Sequence, residues 1–264
     1  MRVNLWIERS IIFFKRELKL KASYRMNLFI SIVGGVSGLV VYGLLGNSAF
    51  GSVTTQAYNI TLGAYLVSGV AFSPIIMGGL AMFSQHSSPS ELEEVMVTPT
   101  GFRDYILTSS VFDILVTLGS SGFFFGTATL LLGLNYSFNI PLLALVTLLG
   151  LLCSIGLGFI GLGMRLIYKQ SSLVSWVVFS LTGLVGNIIV PIQILPTILQ
   201  SVSYVTPQYY FFTSLRVALG SESPPVGPLV GLFVVYAIVL LGAGVLVLDR
   251  GLRFIRRNGT HRWI

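Results

Sequence analysis

Long apolar runs alternate with short polar gaps along the chain. Residues 28–46, 59–83, 105–134, 140–164, 172–195 and 227–248 are nearly free of charge. Each is close to or above the ~20 apolar residues an α-helix needs to cross the ~30 Å hydrocarbon core of a bilayer. The pattern predicts an all-α polytopic membrane protein, one transmembrane domain with six transmembrane helices. Pro74 falls inside the second run, where a missing backbone donor predicts a kink. The lead, residues 1–27, is patterned differently. Ile7, Ile11, Phe14 and Leu18 recur on one helical face, while Glu8, Lys15 and Lys19 occupy another. With Trp6 and Tyr24 this predicts an amphipathic helix lying in the membrane interface.

Residues 196–226 are apolar enough to suggest a seventh span. Pro196, Pro207 and Gly220 cut them into pieces of about a dozen residues. At ~1.5 Å per residue such a piece reaches about 18 Å, too short to cross. The expectation is a re-entrant outer hairpin, residues 196–219, made of two short helices whose irregular turn is sheltered by protein. Ser201 and Ser203 on it are expected to face the outside.

Composition supports the membrane reading. Hydrophobic residues make up 54% and charged residues 9%, against about 25% charged in soluble domains. A net charge of +7 would suggest nucleic acid in a soluble protein. Here fifteen of the sixteen Lys and Arg fall in residues 1–27, 84–104, 165–171 and the basic tail 249–264. That is the positive-inside pattern, so both termini are expected in the cytosol of a multi-pass protein of the cell membrane, with no nucleic-acid partner. The first apolar run follows a long charged lead and reads as a retained span rather than a cleavable signal. Cys153, the single cysteine, cannot form an internal disulfide.

Catalytic chemistry is absent from the pattern. None of the four lysines follows a glycine, so there is no phosphate-cradling P-loop and no ATP hydrolysis by this chain. His86 and His261 are far apart and outside any ligand spacing, so no metal site is expected. Asp113 is a lone intramembrane acid. Such groups are functional candidates, yet its place about 12 Å into the third span favours a structural role near the cytosolic interface. Gly150, Ser154 and Gly158 form a small-residue seam in the fourth span, expected to serve helix packing.

The polar gap at residues 90–98 stands apart. Ser90 and Glu93 form a capping box, Glu91, Glu93 and Glu94 complement a helix N-terminus, and Leu92, Val95 and Met96 make an apolar face. A helix this short needs a surface to lie on. Anionic cytosolic headgroups would repel three glutamates, so a groove on another protein is the better surface.

The segment SELEEVMVTPTGFRDYIL resembles the cytosolic loop after the second span of ABC type-2 exporter permeases, where the family carries a "tLEqllvTP" pattern. A second segment, PIQILPTILQSVSYVTPQYYFFTSLR, resembles the proline-punctuated run ahead of that family's last span, with Pro191, Pro196, Pro207 and Arg216 at its landmarks. One departure is Gln85-His86-Ser87-Ser88, where the family often has basic residues before the loop helix.

The resemblance implies a membrane subunit that pairs with a second copy of itself or a homologous permease. It also implies a separate P-loop ATPase subunit that holds ATP and Mg, with no cofactor bound by this chain. Residues 90–98, with Ser90, Glu91, Leu92, Glu93, Glu94, Val95 and Met96, would be its coupling helix. Pro191, Pro196, Pro207 and Arg216 would belong to the outer gate. Spans rich in aromatic and aliphatic surface favour an amphiphilic or hydrophobic substrate, drug-like or lipid-like. Export of a polysaccharide or lipid-linked glycan, or a non-transporting membrane scaffold or sensor, are the alternatives.

Overall fold

The computed structural model describes residues 11–12, 14–16, 18–19, 23–47, 51–85, 101–168, 180, 183–221 and 225–258. Among these residues the chain is helical, with no strand. Lipid offers no water to bond the backbone, so every peptide group of a spanning segment must be satisfied within the segment, as a helix does.

Five helices are long and apolar enough to cross a membrane. They are α1 (Arg25–Leu44), α3 (Leu62–Gln85), α4 (Gly101–Leu132), α5 (Ile140–Tyr168) and α8 (Val226–Asn258). Shorter helices are α2 (Gly51–Tyr58), α6 (Thr197–Val205) and α7 (Pro207–Ala218). Of the expected fifth span, 172–195, residues 172–179 and 181–182 lie outside the described residues, and from residue 186 the backbone is no longer α-helical, so the expected span is not one continuous helix to 195, and the described residues hold no sixth spanning helix. The amphipathic lead is described only in part, and residues 90–98 lie outside the description altogether.

The helices overrun the apolar runs. The third begins at Gly101 rather than near 105, the fourth continues to Tyr168, and the last runs to Asn258, ten residues beyond its apolar stretch. Apolarity marks only what lies in hydrocarbon, whereas the backbone ladder continues through the headgroups. An Asp249–Arg253 pair one turn apart lies on that extension. Helix α3 passes through Pro74 without interruption. The gap after the first span, expected to be polar loop, contains α2, whose Thr54 and Tyr58 are buried. Asn59, at a positive φ of 52°, turns the chain from α2 into α3. There Thr61 accepts from the Ala64 amide at 3.3 Å, as an N-cap does.

Helix α5 is the centre of the bundle, packed most extensively on α8 and on α3. Both contacts rely on small residues. Any side chain at Gly79 of α3 would overlap the Ser154 carbonyl of α5. Gly156 and Gly163 of α5 face the backbone at Leu240 and Val247 of α8, and Gly244 and Gly251 of α8 face the Gly156 and Gly163 carbonyls. Glycines seven residues apart stay on one helix face, so the two parallel helices touch backbone to backbone over two turns. Gly150, Ser154 and Gly158 are all buried. Gly150 sits beneath Phe211 and Ile75, and Ser154 against Gly79. The core between α3, α5, α7 and α8 is aromatic and aliphatic, including Phe72, Ile75, Val146, Phe211, Phe212 and Phe233.

One end of the bundle carries the 134–139 turn, α2, and the segment from Gly183 through α6 and α7; it is called the hairpin end below. The opposite end carries Gln85, Gly101, Tyr168 and Asn258.

Candidate functional site: a buried arginine at the hairpin end

A helical turn, Gly183–Val185, gives way at Gly186–Val190 to bent, non-helical backbone. Asn187 takes a left-handed conformation there, φ 60°, one that asparagine tolerates better than most residues. Pro191 follows and cannot donate a backbone bond. A 3-10 turn, Ile192–Ile194, leads to α6, whose N-cap is Pro196. Thr206 separates α6 from α7, and Pro207 occupies the first turn of α7, where its missing N–H is of no consequence. Gly220, at φ 98°, ends the segment.

Unwinding leaves carbonyls without helical donors, and the side chain that meets them is Arg216 of α7. Its Nη1 donates to the Asn187 carbonyl at 2.7 Å, and its Nη2 to the Ile188 carbonyl at 3.0 Å and the Tyr65 carbonyl at 3.4 Å. The guanidinium carbon lies 3.5 Å from the Tyr65 ring centroid, with Tyr58 and Phe212 near 6 Å, at 5.8 and 5.9 Å. Arg216 is 0% exposed. Each described partner is a carbonyl or an aromatic ring, and Nε has no described hydrogen-bond partner. A buried cation is tolerated only when its donors are met. A desolvated guanidinium on a Tyr face gains about 2 kcal/mol from the ring.

The Asn187 side chain completes the arrangement. Its Oδ1 accepts from Tyr65 Oη at 2.6 Å and Tyr58 Oη at 3.3 Å, and its Nδ2 donates to Tyr58 Oη at 3.1 Å and Thr213 Oγ1 at 3.2 Å. Gln193 Nε2 donates to Tyr58 Oη at 3.4 Å, and Ser221 Oγ to the Tyr58 carbonyl at 2.7 Å. Five pieces of chain are thereby tied at one point: the end of α2, the start of α3, the unwound segment, α7 and Ser221. The 134–139 turn is strapped to the same end. Ser137 and Asn139 amides donate to the Leu219 and Ala218 carbonyls at 3.2 and 2.8 Å, and Tyr136 Oη to the Ala64 carbonyl at 3.0 Å.

Tyrosines join α6 to α7. Tyr210 Oη donates to the Tyr204 carbonyl at 2.8 Å, and the rings of Tyr204, Tyr209, Tyr210 and Tyr236 follow one another at 5.0–5.2 Å. Burial pushes the Tyr209 phenol up to about 12, so it is neutral near pH 7.

The other residues singled out in the sequence are placed as follows. Pro191 is buried and directly follows the unwound segment, whereas Pro196 caps α6 and Pro207 occupies the first turn of α7. Of the two serines expected to be open, Ser201 is exposed but Ser203 is wholly buried, its hydroxyl donating to the Leu199 carbonyl. The helical period turns Ser203 inward, which corrects its expected exposure. Asp113 is half-buried in α4, next to Phe112, whose ring meets Phe14 of the lead edge-on at 4.8 Å. The lead therefore packs on α4 at the end opposite the knot. Among the described residues no group of His, Cys, Asp and Glu could hold a metal ion. Asn187, Ile188 and Tyr65 as partners of Arg216, and Tyr58, Thr213, Gln193 and Ser221 as the groups that bond Asn187 or Tyr58 around it, were not legible in the sequence. The one local signal was Gly186-Asn187 four residues ahead of Pro191, a break inside an apolar run.

Residues 10–219 match the family model described as ABC-2 type transporter. No curated protein matches the chain.

Substitution at Asn187 separates backbone from side-chain effects. Asn187→Gly and Asn187→Ala both remove the amide bonds, but alanine must also hold the left-handed backbone, at about 1–2 kcal/mol. Both variants should melt below the parent in detergent, alanine lower than glycine. Equal midpoints would contradict the left-handed assignment.

Proposed function

The chain belongs to the ABC-2 type transporter family, whose members are permeases, and from that premise we propose that it forms the translocation path of an ATP-driven exporter. It is a multi-pass membrane protein by its family and its five long apolar helices. The chemistry of ATP lies on a separate P-loop subunit, which binds ATP and Mg. A second copy or a homologous permease completes the path. Both termini lie in the cytosol, as the distribution of Lys and Arg argues, and the hairpin end then faces outward.

The observation that carries this reading is the Arg216 knot. Non-helical backbone in a spanning region must be buried in protein or line a cavity. Here unwound carbonyls at one end of the bundle are gripped by a cation from α7, beyond α6 in the chain. Such a joint can hold the outer end closed in one packed arrangement and release it in another, the discrete rearrangement that alternating access requires. In this outer gate Arg216 and Pro191 belong to the joint itself, while Pro196 and Pro207 start the two short helices that carry it. The path is bordered by aromatic and aliphatic surface, which suits an amphiphilic or hydrophobic solute, drug-like or lipid-like.

Residues 90–98 are the coupling helix seated in the ATPase groove, with Glu91, Glu93 and Glu94 on its polar side and Leu92, Val95 and Met96 against the partner. Movement there passes along α3 and α4, which flank this loop, toward the knot near the start of α3.

Two measurements test the reading. Glu94→Lys combined with Leu92→Ala should leave membrane insertion intact and reduce ATPase co-purification at least tenfold; full yield would remove the coupling assignment. A cysteine at Ser201 should react with an impermeant thiol reagent added outside, and a cysteine at the buried Ser203 much more slowly. Reaction of Ser201→Cys from the cytosolic side alone would invert the topology.

A further inference from the structure

A cavity of about 450 Å³ lies between α3, α4 and α5, near the 134–139 turn. Its floor includes Phe72 and Ile75 of α3, and its far wall Leu143 of α5. None of its lining residues is charged, and none belongs to the Arg216 knot. Gly122 and Gly126, one turn apart on α4, keep it open: a methyl group at either would meet nothing within 4 Å. Along α4 the lining runs from Leu118 to Leu130, about 18 Å at ~1.5 Å per residue. That is close to one leaflet's share of the ~30 Å hydrocarbon core.

Two features say what could fill this space. Leu130 is 84% exposed, and neighbouring Phe123 and Leu131 are exposed as well, so within a span the mouth opens toward acyl chains. Two lining residues carry hydroxyls with no hydrogen-bond partner among the described residues, Ser121 Oγ and Thr129 Oγ1, and Ser121 is only 1% exposed. Buried hydroxyls normally find partners, and an unpaired one in a native site points to a group not yet accounted for. Thr129 lies three residues from the end of α4 at Leu132, at the depth where hydrocarbon gives way to lipid ester oxygens.

We propose that this cavity is a lipid site, holding one acyl chain of a bilayer lipid with its ester oxygens at the Thr129 end. The absence of charge selects the apolar part of the lipid, the length matches one leaflet, and the Thr129 hydroxyl rewards an ester oxygen at that end over plain hydrocarbon. The chain reaches inward past Ser121 to touch Phe72 and Ile75, which are almost fully buried and beyond the reach of bulk lipid. The site requires neither an ATPase partner nor a particular exported solute.

The test uses the full chain in phosphatidylcholine vesicles doped with a phosphatidylcholine carrying a diazirine at the end of one acyl chain. After illumination, adducts are mapped by mass spectrometry. The parent should carry adducts on Phe72 and Ile75. Gly126→Leu, whose first side-chain carbon would meet nothing within 4 Å and whose branch extends into the cavity, should lower them at least fivefold. Gly119→Leu, equally open but outside the lining, should leave them unchanged. Thr129→Val should lower them a few-fold. Adducts on exposed Leu246 of α8 report insertion and should be equal in all. No adducts on Phe72 and Ile75 in the parent, or adducts that persist in Gly126→Leu, would overturn the proposal.

Discussion

A cation without water must have its donors met by the protein, and this requirement organises the hairpin end of the molecule. Arg216 meets it with carbonyls released by unwinding and with the face of Tyr65. The two irregularities therefore depend on each other. Intact helix around Asn187 would offer no free carbonyls, and without the guanidinium the Ile188 carbonyl would lose its side-chain donor, at about 1–3 kcal/mol, and the Asn187 carbonyl would keep only the longer bond from Tyr65 Oη at 3.3 Å. The left-handed turn at Asn187, the hydroxyls of Tyr58 and Tyr65, and the placement of α7 against α3 all follow from the same condition.

The rest of the bundle gives that joint a rigid frame. Apolar contact alone does not drive helices together in lipid, because the tails are as apolar as the side chains. Here α5 gains its contacts from close backbone approach, through Gly79 on one side and through Gly156, Gly163, Gly244 and Gly251 on the other. A frame packed this closely favours discrete rearrangement over gradual bending. In the proposed mechanism, force delivered beside α3 and α4 reaches the knot through whole helices.

The spanning helices were readable because bilayer thickness imposes a length of apolar sequence that soluble folds do not need. Their ends were less so, as α4 and α8 show: the apolar run stops at the hydrocarbon boundary while the helix continues. Helix α2 was missed because Thr54 and Gln56 make the gap look like loop, although Tyr58 anchors it. Arg216 stood out as the one basic residue outside the four stretches that hold the other Lys and Arg. Its partners did not, because Tyr65 and Asn187 are ordinary residues in apolar runs, and their pairing joins positions 122 residues apart. The seam was half legible: Gly150 and Ser154 do make close contacts, but the α5–α8 contact uses Gly156 and Gly163 with a period of seven, a spacing that the small-xxx-small pattern skips. Residues 90–98 lie outside the described residues, so the coupling role proposed for them rests on their sequence and on the family.

The central claim is that Arg216 holds the hairpin end closed. Thr213 is 1% exposed and bonds Asn187 within the knot, so a cysteine at that position reports whether the joint is shut. In Thr213→Cys membranes without nucleotide, an impermeant thiol reagent added from outside should react slowly, and adding Arg216→Met should raise the rate at least tenfold. An unchanged rate in the double variant would contradict the account.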